Sequence, residues 1–501
     1  MRDKLQEDPA QRASLTLGFA ANTGNDMRRY NQPTVREVAA VFAGPDGAPP
    51  TNRDIVVWPK EEAGYRVSER NDLVDPLSYA LLFPNGTAGW SESLRHMAEQ
   101  QTKSYNKLTA GQFYAHRLMV RNLDNPIPHG AGLLFQQYLV DVYCRVEAMR
   151  LSYLRTHQQE LRAESYQELR SACASKDFRS GNSTVGRRVV LPASYPGSPR
   201  HMQGNYLDAL AMVRVLGKPD YLITFTASPS WPEILAALRP GQSPHDRPDI
   251  VARVFHLKLQ ALLHDLVAEG VLGKAVGWTW VVEFQKRGLP HAHILLIVAS
   301  ADKPRTPADI DARVCAELPD PDDPDAAELL NIISRSHVHG PCGVRNPSAP
   351  CMEGGECSKG YPRKFSEATT MPQAVYPIYR RRDSGRTIEK NGHVMDSRDV
   401  VPYNPLLTRK YGAHINVEIV TSIRSVKYLF KYTYKGHDRA TLEVGFDEIT
   451  DHVDARYVGP AEAVWRLLEF PMSGRSHSVE RFVMHQAMGA SFVHELNFHR
   501  I

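Results

Sequence analysis

The chain has 501 residues, of which 42% are hydrophobic and 23% charged, with a net charge of +4. That suits a globular protein of two to four domains, or of one large core with insertions, too nearly neutral for overall charge to argue for nucleic acid. No apolar run approaches the roughly 18 residues of a membrane helix, the N-terminus Met1–Asp8 does not read as a secretory signal, and six clustered cysteines argue against a disulfide scaffold.

Residues 1–105 are rich in turn signals around short apolar runs such as Ile55–Trp58, and read as an irregular or α+β region. Helical periodicity governs 106–180, where Leu133, Leu134, Tyr138, Leu139, Val142, Val146 and Met149 form one apolar stripe. Within 181–300, Asp220–Thr226 is β-branched and aromatic, and Pro229 and Pro232 end it: a central strand followed by a loop. Residues 251–270 are an amphipathic helix. Trp278–Gln285, the turn Lys286–Leu289 and the strand from Pro290 make a β-hairpin. Residues 301–375 open with an acidic, Pro-rich stretch that reads as an exposed insertion and continue into a segment with three of the cysteines. The segment 376–440 is basic, with 13 Lys and Arg against 6 Asp and Glu over 376–439. Residues 441–501 carry mixed signals, and no internal repeat is present.

Three constellations carry chemistry. In the strand Pro290–Val298, side chains alternate, so His291 and His293 share a face. Two neutral imidazoles make half of a divalent-metal site. If Glu283 pairs across from His293, Gln285 pairs across from His291 and all four share that face. A charged oxygen binds a cation better than an amide, so Glu283 is the expected third ligand and Gln285 the alternative. The bland alternative is a solvated glutamate beside hydrogen-bonded histidines. In the second constellation, Tyr428 and Tyr432 lie four apart on a predicted helix, each followed three residues later by a lysine, Lys431 and Lys435. A phenol needs a nearby cation or metal to become a nucleophile; the bland alternative is a helix core with lysines reaching to solvent. In the third, His339, Cys342, Cys351 and Cys357 have spacings that suit a closed tetrahedral zinc site, with His337 as an alternative first ligand. The segment has little apolar content, so metal could supply its stability.

Glu283–Leu296, Glu-Phe-Gln-Lys-Arg-Gly-Leu-Pro-His-Ala-His-Ile-Leu-Leu, resembles the histidine motif of Helitron transposases, eukaryotic rolling-circle elements of the HUH (His-hydrophobe-His) endonuclease superfamily. Arg28–Thr34, Tyr79–Gly86, Leu134–Tyr138, Gly197–Arg200, His339–Gly343 and Tyr428–Tyr432 are similar to Helitron replication-initiator regions. Thr224–Thr226 and Trp231–Glu233 correspond to the first superfamily motif, but Ala227-Ser228-Pro229 stands where Cys-Asn-Pro is expected.

The resemblance implies an α+β fold: an antiparallel central sheet with flanking helices of the HUH nuclease type, a mainly helical N-terminal region and a small zinc-binding insertion. It also implies nicking and transfer of single-stranded DNA through a 5′-phosphotyrosine, as in rolling-circle transposition in the nucleus. His291, His293 and Glu283 (or Gln285) would hold Mg²⁺ or Mn²⁺, one of Tyr428 and Tyr432 would attack, and Lys431 and Lys435 would neutralise phosphate. Basic residues of 376–439, with Tyr376, Tyr379, Tyr403 and Tyr411, would line a single-strand groove. Family members continue into a helicase with a P-loop. None is present here, so the chain reads as the nuclease part alone, from a truncated copy, a gene-model fragment or a split product, and a helicase supplied in trans stays open as a partner. The alternatives are an inactive DNA-binding remnant and a metal-dependent hydrolase that forms no covalent intermediate.

Overall fold

The computed structural model describes residues 38, 40–41, 55–57, 64–97, 106–121, 126–158, 191–284, 289–320, 322, 326–371, 376–421 and 457–479. Its centre is an antiparallel sheet of five strands: β1 (Tyr221–Thr226), β2 (Ala275–Phe284), β3 (Pro290–Val298), β4 (Ile415–Ile419) and β5 (Ser473–Arg475), in the order β4-β1-β3-β2-β5. The long β2–β3 hairpin forms its middle, as the alternating sequence requires.

Alternation sends one set of side chains into the core. Tyr221, Ile223 and Phe225 of β1, Ala292, Ile294, Leu296 and Val298 of β3, and Ile415, Val417 and Ile419 of β4 are all buried in one cluster. Three helices cover that face: α1 (Leu133–Thr156), α3 (Pro248–Val267) and α4 (Pro460–Leu467), while α2 (Pro199–Leu216) reaches β2 at Gly277. Phe225 stacks on Phe255 of α3 at 5.2 Å, and Phe255 meets Trp465 of α4 at 5.9 Å. The predicted stripe of α1 supplies Tyr138, Leu139, Val142 and Val146 to this core, while Leu133 stays 38% exposed. Asp75 is fully buried beside α1, where it accepts from Arg117 and Arg145 at 2.7 Å and from Tyr114 and Tyr138 at 3.1 Å.

Two segments depart from the sequence-based expectation. The acidic stretch after residue 300 is not wholly an exposed insertion: Ile310, Val314 and Ala316 enter the main core. Leu318 joins Leu329, Ile333, Val338, Met395, Val400 and Tyr403 in a second, smaller cluster. The apolar residues interspersed among the acids decide this. Residues 457–479, featureless in sequence, contribute α4 and the edge strand β5. A Cβ on Gly474 would fall 2.6 Å from the Trp280 ring, which explains a glycine in that strand. Among the described residues no helix is long and apolar enough to cross a membrane.

Candidate active site and cysteine-rich module

The sheet face turned away from the main core carries the histidines. The β2–β3 register puts Glu283 opposite His291 and Val281 opposite His293, two residues away from the expected pairing. A shift of two preserves side-chain parity, so Glu283 still shares the histidine face. Its Oε2 lies 3.3 Å from His293 Nε2, and both residues are only 8% exposed. Gln285, the alternative ligand, lies outside the described residues.

The neighbouring strand completes the arrangement. Thr224 pairs with His293 and Thr226 with His291. Thr224 Oγ1 is 3.2 Å from His293 Nδ1, and Thr226 Oγ1 is 2.7 Å from His291 Nδ1. Both threonines were missed as site residues in the sequence, although their i, i+2 spacing matches that of the histidines. When each Nδ1–H donates to its threonine, the tautomer is fixed and Nε2 carries the lone pair a metal needs. His293 and Glu283 meet at 3.3 Å and His291 shares their face; two imidazoles and a carboxylate are the donor types of a divalent-ion site that also takes substrate oxygens.

Tyr428, Lys431, Tyr432 and Lys435 lie outside the described residues.

The third constellation closes on itself. One ligand atom from each of His339, Cys342, Cys351 and Cys357 lies within 4.8 Å of all the others, and Cys357 Sγ is 3.3 Å from His339 Nε2. Three sulfurs and one imidazole nitrogen match a closed tetrahedral zinc site. Burial pushes the His339 imidazole down to about 4, which keeps it neutral, while burial and the neighbouring thiols push Cys342 up to about 12. The His339 ring stacks on Tyr361 at 4.5 Å. His337, the alternative ligand, is elsewhere: fully buried, its Nε2 accepts from Ile415 N at 3.0 Å. It ties the start of the module to β4.

The expected single-strand groove is not built by the described part of 376–421. Tyr379 donates to Glu418 Oε2 at 2.9 Å, Tyr403 to the Glu317 carbonyl at 3.0 Å and Tyr411 to Asp265 at 2.7 Å. All three are buried, so none offers a face for a base; Tyr376 is half-buried. The arginines are engaged too. Arg380 pairs with Asp311 at 3.1 Å, Arg382 with Glu317 at 2.8 Å and Arg398 with Asp396 at 2.7 Å; Arg386 pairs with Asp320. Buried Arg381 donates to the carbonyls of Ala316, Ser397 and Val400. The acids of 309–320 neutralise this stretch.

Residues 113–296 match the family described as the Helitron helicase-like domain at N-terminus. The matched segment includes Thr224, Thr226, Glu283, His291 and His293 and ends within β3, before the cysteine-rich module. No curated protein matches the chain.

Proposed function

We propose that this chain has a transposon-related function as a nuclease of the HUH type, cutting and rejoining single-stranded DNA. The observation that carries the proposal is the pairing of Thr224 with His293 and Thr226 with His291, with Glu283 beside them, inside the Helitron-related segment. His291, His293 and Glu283 would hold Mg²⁺ or Mn²⁺, which when bound supplies Lewis-acid polarisation of the scissile phosphate. The threonines hold the imidazoles in the required tautomer, and the buried apolar side of the hairpin holds both rings in place. The phenol oxygen of Tyr428 or Tyr432 forms a bond to phosphorus as the bond to the 3′ oxygen breaks. The phenol proton is lost and the leaving oxygen gains one, giving a 5′-phosphotyrosine and a 3′-OH. The phosphodiester bond is exchanged for another ester, so the step needs no ATP. Attack by a 3′-OH on that ester reverses the chemistry and joins strands. Lys431 and Lys435 would neutralise phosphate. Action on transposon ends places the protein in the nucleus.

The test is a 3′-labelled single-stranded oligonucleotide carrying a transposon end, incubated with Mn²⁺ and resolved in SDS. The wild type is expected to form a covalent adduct, and the Tyr428→Phe, Tyr432→Phe double variant to form none. A wild type without adduct, or a double variant that keeps it, overturns the proposal.

The four-ligand cluster is proposed to hold Zn²⁺, on the strength of its three sulfurs and one imidazole nitrogen. Elemental analysis should find about one zinc per chain. Less than a tenth of that would refute the assignment.

A further inference from the structure

We propose that the loop after Cys357 is a second nucleic-acid contact, a phosphate-binding surface formed by Lys359, Arg363 and Lys364. It rests on the single-strand cleavage proposed above and names where the strand is gripped outside the cleavage centre.

The three cations stand within six residues of one another, and all are exposed. None forms an ion pair among the described residues. Farther along the chain the pattern reverses: Arg380, Arg382, Arg386, Arg398 and Lys410 each face a carboxylate. Inside the module, Arg345 is held by Asp399. The exposed acids Glu353 and Glu356 sit on the neighbouring hairpin and pair with none of the three. Three thiolates around a divalent ion carry a net charge of minus one, so a filled metal site offsets only one of the three cations.

The loop is also pre-shaped. Ser358 N donates to the Cys351 carbonyl at 2.8 Å, Gly360 N to the Cys357 carbonyl at 2.7 Å and Arg363 N to the Arg398 carbonyl at 2.9 Å. Gly360 turns the chain at φ +68°, and the Arg363 guanidinium lies 5.0 Å over the Tyr361 ring. Little backbone entropy remains to be lost on binding.

Placement links the surface to the cleavage face. Arg363 acts electrostatically on Glu418 of β4, and Glu418 lies opposite Leu222 in the β1–β4 register. Glu418, Asn416, Thr224 and His293 therefore share one sheet face. Arg363 therefore sits on the histidine side of the sheet, where its contacts with a strand would be to phosphate. Contacts of this kind fix position on the backbone and carry no base preference.

The test measures binding of a labelled oligo-dT strand by the full chain across a salt series, in a His291→Ala, His293→Ala background where cleavage is absent. Each phosphate contact to a single strand contributes about 0.7 to the salt slope. The triple variant Lys359→Ala, Arg363→Ala, Lys364→Ala should lower the slope by about 2 and weaken binding about 100-fold at 0.1 M salt. The charge-conserving variant Lys359→Arg, Arg363→Lys, Lys364→Arg should keep the parent slope. Should the triple variant not fold, single Lys359→Ala and Lys364→Ala variants decide, at about 0.7 each. An unchanged slope, or a parent chain that binds no strand, overturns the proposal. The two proposals fail separately. A missing adduct with a charge-dependent slope removes the nuclease and leaves the surface; an adduct with an unchanged slope does the reverse.

Discussion

The histidine face and the cysteine-rich module hold their side chains by different means. His291 and His293 ride on a strand whose alternate residues, Ala292 and Ile294, are fully buried, and neighbouring threonines set their rings. Packing orders that site before any ion arrives. His339, Cys342 and Cys351 sit in loops and turns and Cys357 on a two-residue strand: of this module Cys342 is buried, while Gly354, Gly355, Ser358, Lys359 and Gly360 are exposed. The loop is held by backbone hydrogen bonds and the clustered ligand side chains rather than by an apolar core. A metal bound in the first region would thus act as a reagent, and one bound in the second as a structural member.

Removing the second metal should have the largest effect. Structural zinc contributes on the order of 10 kcal/mol to folding of small sites. Cys342→Ser is expected to lose the zinc and to abolish hydrogen-exchange protection across 339–361, while β1 and β3 stay protected. Simultaneous melting of the sheet would break the distinction. Next is Thr226→Val, which keeps shape and removes the hydroxyl from His291 Nδ1. Mn²⁺ affinity and adduct formation should fall about 10- to 100-fold with little change in melting temperature. Wild-type affinity would mean the threonine does not orient the ring.

Smaller effects separate the paired cations from the unpaired ones. Arg382→Ala breaks a bidentate pair with Glu317 and should cost about 1 kcal/mol by urea denaturation, discounted for the exposed guanidinium. Lys359→Ala should stay within about 0.5 kcal/mol. Equal losses would erase the contrast. β4 adds a pH dependence. Burial pushes the half-buried Glu418 carboxyl up to about 7, from an ordinary value of 4.5. The folded state therefore binds the proton more tightly than the unfolded state. The resulting stability is present below about 4.5 and lost as pH rises through about 7. Glu418→Gln should remove that decline; a variant with the parent's pH profile would contradict it.

Much of this was legible in the sequence, for physical reasons that also explain the misreadings. A period of two put His291, His293 and Glu283 on one face, and the structure keeps them there. Parity is blind to a shift of two, so alternation could not choose between Val281 and Glu283 opposite His293. Cysteine spacing brought the four-ligand cluster into view because its ligands are close in sequence. Counting charge misled for the described residues 376–421, since the acids that pair with Arg380, Arg382 and Arg386 lie 65 to 69 residues upstream. Tyr379, Tyr403 and Tyr411 misled likewise: an aromatic in a basic run reads as a base-stacking platform until its burial is known. Ser473-Gly474-Arg475 has no strand pattern at all, and joins the sheet because β2 leaves an open edge there.

The central claim is that the histidine face is a metal-dependent cleavage centre. It is tested most directly by the rate of SDS-resistant adduct formation against Mn²⁺ concentration, for wild type and for His293→Ala. Wild type should show a saturable rise, and the variant a rate at least about 1,000-fold lower at every Mn²⁺ concentration. A His293→Ala protein that forms the adduct at the wild-type rate would contradict it.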